Sequence, residues 1–201
     1  MSLLLGTRNP GKVIEITSIL ADSGWSFCSL EEFENIATAE ENGNTYAENA
    51  IAKAQFYASV TGLLALADDS GLEVEALGGA PGVFSARYAG EHATDADRRA
   101  LLLSELAKTG DDNRRARFVA AVAIAHAGGE VLNVSEGICE GTITFAPRGD
   151  GGFGYDPLFI PNGYNQTFAE LPETVKNRIS HRARALLKTK HFLLSFNPEI
   201  L

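Results

Sequence analysis

Two adjacent carboxylates, Asp68 and Asp69, directly follow the apolar segment Leu63–Ala67 in this sequence. The segment is predicted to be a strand with the acidic pair at its end, where an open α/β sheet exposes its ligand-binding crevice. Neighbouring carboxylates repel each other unless a cation neutralises them, and Mg²⁺ accepts one or two carboxylates together with water and phosphate oxygens. The pair therefore indicates either a magnesium site or a turn that the two Asp side chains cap.

A polar turn, Thr7–Lys12, lies between a predicted strand at Leu3–Gly6 and a predicted helix that runs from Lys12 to about Ser23. The backbone N–H groups of such a turn, the positive end of the following helix and the Lys12 ammonium together suit a phosphate. The turn does not have the pattern of a Walker-type loop. An ordinary strand–helix turn with a solvated lysine is therefore the alternative.

A glycine-rich segment, Gly151–Pro157, carries two aromatic residues and one acid. Its glycines would let the backbone approach a ligand closely, and the rings of Phe153 and Tyr155 could stack on a purine. Asp156 could accept hydrogen bonds from the N–H edge of the same base. The alternative is a turn that inserts both aromatic rings into the core.

Basic residues crowd the start of a predicted C-terminal helix that begins at about Ser180: they are Lys176, Arg178, His181 and Arg182. Cations prefer the C-terminal end of a helix, so this density at an N-terminal end requires a bound anion or a nearby carboxylate. His181 and Arg182 could both donate hydrogen bonds to a base carbonyl or to a phosphate.

The clearest helical pattern follows Thr45 and Glu48, whose spacing is that of a capping box, and continues until Gly62. Lys53 lies within this helix and Asn49 lies one turn before it, so both side chains could face the same groove. The alternative for Lys53 is a solvated position on the helix surface.

The rest of the chain predicts strands and helices that position these motifs. Leu72–Ala76 alternates as a half-buried strand does, and a loop rich in glycine and proline follows at Gly78–Gly90. The other predicted elements are a capped helix from about Thr94 to Lys108, a hairpin of Arg117–Ala125 with Val131–Ser135, and a short strand at Leu158–Ile160. This pattern is typical of an α/β fold with a mixed, curved sheet.

The composition of the chain excludes several classes of protein. With 201 residues and 45% hydrophobic content the chain can bury a core, and its apolar stretches are far shorter than the roughly 18 residues of a membrane span. The net charge of −9 argues against a nucleic-acid polymer as partner, because such a partner needs a basic face. Cys28 and Cys139 support neither a disulfide framework nor a thiolate metal site. The first residues lack the pattern of a secretory signal, so we expect a cytoplasmic protein.

Six segments, in order along the chain, resemble the inosine triphosphate pyrophosphatase family, also called the Ham1 family. The segments are Thr7–Lys12, Glu41–Lys53, Ala67–Leu72, Gly78–Tyr88, Gly152–Pro157 and Ser180–Arg182. The resemblance implies an elongated α/β fold of two lobes around a long central mixed, curved sheet, in a single domain over residues 1–201 with the active-site cleft between the lobes. It also implies a homodimer and a Mg²⁺-dependent hydrolysis of ITP, dITP and XTP to the monophosphate and pyrophosphate.

The resemblance further implies a role for each candidate residue. Asp69 falls at the position of the general base, which is also associated with the metal; Glu41 falls at a position that helps to hold Mg²⁺, and Asp68 supports them. The candidate phosphate-binding residues are Thr7, Arg8, Asn9, Gly11, Lys12, Lys53 and Ser70. The candidates for the base and sugar side are Phe153, Gly154, Tyr155, Asp156, Lys176, His181 and Arg182.

Several alternatives stay open at this stage. The family often has a small residue where this chain has Arg8, which could add a phosphate contact or narrow the entrance. Glu40 is adjacent to Glu41, so either carboxylate could be the metal ligand. Two other functions also stay open, a nucleotide-binding module that does not hydrolyse its ligand and a pyrophosphatase for modified pyrimidine triphosphates.

Overall fold

The computed structural model describes residues 2–197, which form an α/β fold around one six-stranded sheet. The strands are β1 (Ser2–Leu5), β2 (Ser26–Ser29), β3 (Leu64–Val74), β4 (Arg115–Ala125), β5 (Val131–Ile143) and β6 (Phe159–Pro161). Their order in the sheet is β2-β1-β3-β4-β5-β6. Strand β1 pairs in parallel with β2 and β3, whereas β5 pairs antiparallel with β6, so the sheet is mixed as predicted.

Five α-helices accompany these strands within the described residues. They are α1 (Pro10–Leu20), α2 (Tyr46–Thr61), α3 (Asp95–Thr109), α4 (Glu173–Ile179) and α5 (His181–Ser195). The predicted capping box at α2 is confirmed, because Thr45 accepts from the Glu48 N–H while the Glu48 side chain accepts from the Thr45 N–H. The helix ends at Gly62, whose φ of 72° is left-handed and suits glycine.

The chain divides into two compact units. Unit 1 comprises residues 1–69, 120–137 and 182–201, and unit 2 comprises residues 70–119 and 138–181. The core of unit 1 packs aliphatic residues of β1 and α1 with others from β4 and α5, whereas the core of unit 2 is rich in aromatic residues such as Phe118, Phe159 and Phe168. The prediction of a single domain over residues 1–201 stays a prediction, and residues 1 and 198–201 lie outside the described residues.

The acidic pair lies inside a strand, and the predicted break there is wrong. Strand β3 continues from Leu64 through Asp68 and Asp69 to Val74 without interruption. Successive side chains of a strand project to opposite faces, so the two carboxylates do not share one environment. Each contacts different cations, Asp68 those of Lys12 and Arg182 and Asp69 that of Lys53, and the strand therefore tolerates both acids in its interior.

The predicted C-terminal helix from about Ser180 is confirmed as α5, but a separate short helix, α4, comes before it, with Ser180 in an extended conformation between the two. Lys176 and Arg178 therefore lie in the last turn of α4, where the helix dipole favours cations. Only His181 and Arg182 begin a helix, as predicted.

Within residues 2–197, no helix has the length and apolar character that crossing a bilayer requires.

Candidate active site

The turn between β1 and α1 is held by its own polar side chains. The Asn9 carboxamide caps α1, since its Oδ1 accepts from the N–H groups of Gly11 at 2.9 Å and Lys12 at 3.2 Å. Thr7 Oγ1 accepts from the Asn9 N–H at 3.2 Å. The N–H groups of Gly11 and Lys12, which we expected to face a phosphate, are thus occupied by Asn9. The Lys12 ammonium is the cation that this turn still offers, and its binding of a phosphate stays a prediction.

The departure at Arg8 has a local explanation. The Arg8 side chain is exposed, and its Nη2 donates to the carbonyl oxygen of Ile36 at 2.6 Å. This contact fastens the turn to the segment after β2. A direct phosphate contact by Arg8 stays a prediction.

Asp68, on one face of β3, is surrounded by cations. Its Oδ2 lies 3.1 Å from the Lys12 Nζ and accepts from the Arg182 Nε at 3.0 Å. Arg182 also donates from Nη1 to Glu15 Oε2 at 2.5 Å, and the whole arginine is only 2% exposed. Two carboxylates of unit 1 therefore hold this guanidinium, and one of them also pairs with Lys12. The role of Arg182 on the base and sugar side stays a prediction.

The pKa values of Asp68, Arg182 and Lys12 follow from their burial and from the charges that they contact. Burial alone would raise the pKa of Asp68, but the attraction of Lys12 and Arg182 outweighs burial and lowers that pKa well below its ordinary range. Burial also disfavours the Arg182 cation, yet Asp68 and Glu15 outweigh it and raise the pKa of Arg182. For Lys12 burial is the larger effect, and its pKa is lowered.

Asp69 faces a second set of partners. Its Oδ1 lies 3.2 Å from the Lys53 Nζ, and its Oδ2 accepts from the Asn49 Nδ2 at 3.0 Å. Lys53 also contacts Glu41 Oε1 at 2.5 Å. The prediction that Asn49 and Lys53 face the same groove is confirmed, because both contact one carboxylate.

The structure favours Glu41 over its neighbour as the acid of this site. Glu41 is half-buried and pairs with Lys53, whereas the exposed Glu40 accepts from the Asn42 amide at 2.8 Å. Burial raises the pKa of Asp69, and the Glu41 charge reinforces this rise although Lys53 opposes it. A carboxyl with a raised pKa binds a proton more readily than an ordinary aspartate, which suits a general base.

The pair of Glu41 and Asp69 fits a magnesium ion. Their carboxylates converge on one cation, the Lys53 ammonium, which lies 2.5 Å from the first and 3.2 Å from the second. Among the described residues, no group of three or more His, Cys, Asp and Glu side chains is arranged to hold a metal. Mg²⁺ does not require one, because it usually takes one or two carboxylates and fills its other positions with water and phosphate oxygens.

Unit 2 contains Phe153–Asp156, the segment predicted to bind the base, which we call the base platform; base binding there stays a prediction. Asp156 Oδ2 accepts from the Phe153 N–H at 2.9 Å and from the Lys176 Nζ at 2.5 Å. The same ammonium lies 4.8 Å from the centre of the Phe153 ring, in a cation–π contact. Both Asp156 and Lys176 are buried, so they hold the platform from within.

The two aromatic residues of the platform differ in exposure. Tyr155 is 4% exposed, packs in the core of unit 2 and donates from its hydroxyl to the Ser85 carbonyl at 3.1 Å. The expectation that its ring is available to stack on a purine is therefore wrong, and the structural alternative holds for this residue. Phe153 is half-buried and is the ring that the platform offers.

His181 is fixed by an aromatic neighbour. Its imidazole stacks on the Phe118 ring with 4.6 Å between centroids and 9° between planes. Phe118 in turn packs edge-on against Phe159 in the core. His181 is 4% exposed, so this packing sets the direction of any hydrogen bond that it makes to a base. Ser70 follows Asp69 in β3 and is half-buried.

Sequence reasoning missed two kinds of residue that support the site. Glu15, one turn after Lys12 on α1, is a buried acid on an otherwise apolar face, and that position was the available signal. Asp95 and Arg99 of α3 hydrogen-bond Gly154 and have the spacing of neighbours on one helix face, but that spacing alone is common on helix surfaces.

Comparison with known proteins identifies the family of this chain. A sequence model of the Ham1 family matches residues 3–192. The dITP/XTP pyrophosphatase of Desulforamulus reducens is 52% identical over 193 residues, which cover 96% of each chain. The dITP/XTP pyrophosphatase of Geobacter sulfurreducens is 49% identical and covers 95% of this chain and 96% of its own. The structure of a HAM1 protein from Coxiella burnetii superimposes with a TM-score of 0.88 at 42% identity, covering 98% of this chain and all of that chain. This chain therefore belongs to the Ham1 family.

Proposed function

We propose that this chain is a nucleoside-triphosphate pyrophosphatase that hydrolyses ITP, dITP and XTP to the monophosphate and pyrophosphate, and so removes these purine nucleotides from the cellular pool. The observation that carries the proposal is the convergence of Glu41 and Asp69 on one cationic position beside a further cation pair at Asp68. Relatives at about half identity over nearly the whole chain are named dITP/XTP pyrophosphatases, which supports the choice of substrates.

Glu41 and Asp69 would hold Mg²⁺, which supplies positive charge to neutralise the triphosphate when bound. Asp69 takes the proton of the water that attacks the α-phosphorus, and its raised pKa suits that role. The bond from the α-phosphorus to its bridging oxygen then breaks, and pyrophosphate leaves with the electron pair.

Cationic side chains of unit 1 stabilise the charge that moves to the leaving group. Lys12 and Lys53 are the lysines held by the two acids of β3, at 3.1 and 3.2 Å. Fixed charges in a site that excludes water lower the barrier of phosphoryl-type transfer more than mobile solvent does. Arg182 fixes Asp68 and thereby the position of Lys12.

Selectivity for the base is assigned to unit 2. A site that donates hydrogen bonds to a 6-keto oxygen leaves those donors unpaired when the base carries a 6-amino group, and such mismatches can reach about 10⁴–10⁵ in kcat/KM. His181 is the side chain best placed to donate, because its ring is fixed by Phe118. Phe153 supplies the stacking surface.

Pyrophosphate release from a panel of triphosphates tests the proposal. We expect rapid release from ITP, dITP and XTP, slow release from ATP, whose base carries a 6-amino group, and little release when a chelator removes Mg²⁺. Equal kcat/KM for ATP and ITP would defeat the selectivity, and binding of ITP without release would indicate a binding module. A preference for modified pyrimidine triphosphates would assign a different substrate class.

A homodimer is also part of the proposal, as the family resemblance implies. Light scattering of the purified chain tests it, with a particle of twice the mass of 21.4 kDa as the expected result. A cytoplasmic location stays a prediction.

A further inference from the structure

Helix α3 holds the base platform through a single glycine. Asp95 is the first residue of α3, and its Oδ2 accepts from the Gly154 N–H at 2.7 Å. Arg99, one turn later, donates from Nη1 to the Gly154 carbonyl oxygen, also at 2.7 Å. Both backbone polar groups of Gly154 are thus bound to side chains of the same helix face.

The local geometry makes this contact specific. Residues four apart on a helix lie side by side, so Asp95 and Arg99 present an acceptor and a donor at matching spacing. Gly154 has a left-handed φ of 59°, a conformation that residues with a side chain rarely adopt. An ionised partner makes each of these hydrogen bonds stronger than a neutral pair would be.

The contact constrains the ring that the platform offers. The N–H that Asp95 binds belongs to the peptide between Phe153 and Gly154. The preceding N–H, that of Phe153 itself, is bound by Asp156 at 2.9 Å. The backbone of Phe153 is therefore fixed on both sides, once from within the platform and once from α3.

We propose that Asp95 and Arg99 are positioning residues for nucleobase recognition, acting through Gly154 on the Phe153 ring. The inference rests on the proposed function, since it assigns the purine to this platform. Gly154 was predicted to bind the substrate, but its N–H is already bound to Asp95. We therefore assign Gly154 the role of shaping the loop rather than of donating a hydrogen bond to the substrate.

The test uses variants of the full chain that separate the contact to Gly154 from the other interactions of Asp95. Asp95 Oδ1 also pairs with Arg98 at 2.5 Å. Asp95→Ala removes both interactions, whereas Asp95→Asn loses the ion pair but keeps an oxygen that can accept from Gly154. Arg99→Leu removes the second hydrogen bond. Lys108→Leu, at an exposed ion pair of the same helix, is the matched control.

Two measurements distinguish a loss of base recognition from general structural damage. The first is the steady-state kinetics of ITP hydrolysis, which give KM and kcat. The second is the inhibition constant of inorganic tripolyphosphate, which has no base. We expect Asp95→Ala and Arg99→Leu each to raise the KM for ITP about tenfold, as the loss of one charged hydrogen bond predicts. The kcat and the inhibition constant of tripolyphosphate should stay near those of the unaltered chain, as should all values of Lys108→Leu. Asp95→Asn keeps a neutral acceptor for the Gly154 N–H, so its KM for ITP should rise less than that of Asp95→Ala.

Three outcomes would overturn the inference. An unchanged KM for ITP in both Asp95→Ala and Arg99→Leu would show that α3 does not position the platform. A parallel rise in the inhibition constant of tripolyphosphate would show general structural damage, and equal KM values for Asp95→Asn and Asp95→Ala would show that accepting the Gly154 hydrogen bond is not what positions the platform. If the unaltered chain does not hydrolyse ITP, the proposed function itself fails. If the unaltered chain hydrolyses ITP but the variants behave as described above, only the role of α3 fails.

Discussion

Units 1 and 2 hold their candidate residues by different means. In unit 1, side chains of opposite charge hold each other, as in the contacts of Asp68 with Lys12 and Arg182. In unit 2 the buried ion pair of Lys176 and Asp156 also acts on a loop: Lys176 contacts the Phe153 ring and Asp156 binds the Phe153 N–H, while Asp95 holds Gly154. The difference indicates that unit 1 is built to present charge, whereas unit 2 is built to present a shape.

This comparison predicts that changes in the two units affect different quantities. A lost charge in unit 1 leaves its buried partners uncompensated, which affects turnover or the stability of the fold. A lost contact in unit 2 changes the fit of the base and should appear in the KM. Variants in each unit can break or sharpen that division.

The largest effect is expected at Asp69. Asp69→Asn keeps the size of the side chain but removes the base, so kcat for ITP should fall by about 10²–10⁴-fold while ITP still binds. Steady-state kinetics and calorimetric titration with ITP measure the two quantities. Glu40→Gln, at the exposed acid that makes no contact with Lys53, is the matched control and should behave as the unaltered chain. Near-normal turnover of Asp69→Asn would refute the assignment of the base.

Asp68→Asn should mainly reduce stability. The change leaves the cations of Lys12 and Arg182 without their shared carboxylate in a site where Asp68 is 1% exposed. Breaking such a buried pair costs about 3–5 kcal/mol, which urea unfolding can measure. Asp22→Asn removes the acid of an exposed ion pair with Lys190 and should change stability by less than about 1 kcal/mol. If the two substitutions lower the free energy of unfolding equally, the buried ion pairs of Asp68 stabilise the fold no more than the exposed pair of Asp22 does.

Phe153→Ala should weaken base recognition in unit 2. Loss of stacking on one aromatic ring is worth about 1–3 kcal/mol per base, so the KM for ITP should rise about tenfold or more. Phe145→Ala, at a ring that is 79% exposed, is the control in the same unit. If Phe153→Ala instead lowers kcat with an unchanged KM, the division between the units is wrong.

The smallest effect is a pH dependence of stability that Asp68 contributes. Its pKa in the folded chain is lowered from the ordinary value of 3.8, so the folded state binds this proton less readily than the unfolded state does. The stabilisation is fully present above that ordinary value and is lost as the pH falls below it. Unfolding curves should therefore show a smaller loss of stability with acid in Asp68→Asn than in the unaltered chain. Identical slopes would contradict the role of Asp68.

Much of the fold was predictable because its signals are local. The capping box of Thr45 and Glu48 needs four residues, and Gly62 ends the same helix by its own conformation. The continuity of β3 through the acidic pair was not predictable from nearby residues. Asp68 is paired there with Arg182, which is 114 residues away along the chain. Arg182 also binds Glu15, which is 167 residues away from it.

The candidate site also has some residues that the sequence predicted and others that it did not. Asp69 and Lys53 were identified as candidates and do contact each other. The sequence left the burial of Tyr155 open, because a glycine-rich segment with two aromatic residues is compatible both with a stacking site and with a core contact. Only the hydroxyl contact to Ser85 and the surrounding core decide that this ring is structural.

Hydrolysis of ITP in water enriched in heavy oxygen tests the central claim most directly, namely that the charged residues of unit 1 direct a water to the α-phosphorus. In the presence of Mg²⁺ we expect the label to enter IMP and to be absent from the released pyrophosphate. Label in a released phosphate or pyrophosphate, or equally fast hydrolysis after a chelator has removed the metal, would contradict it.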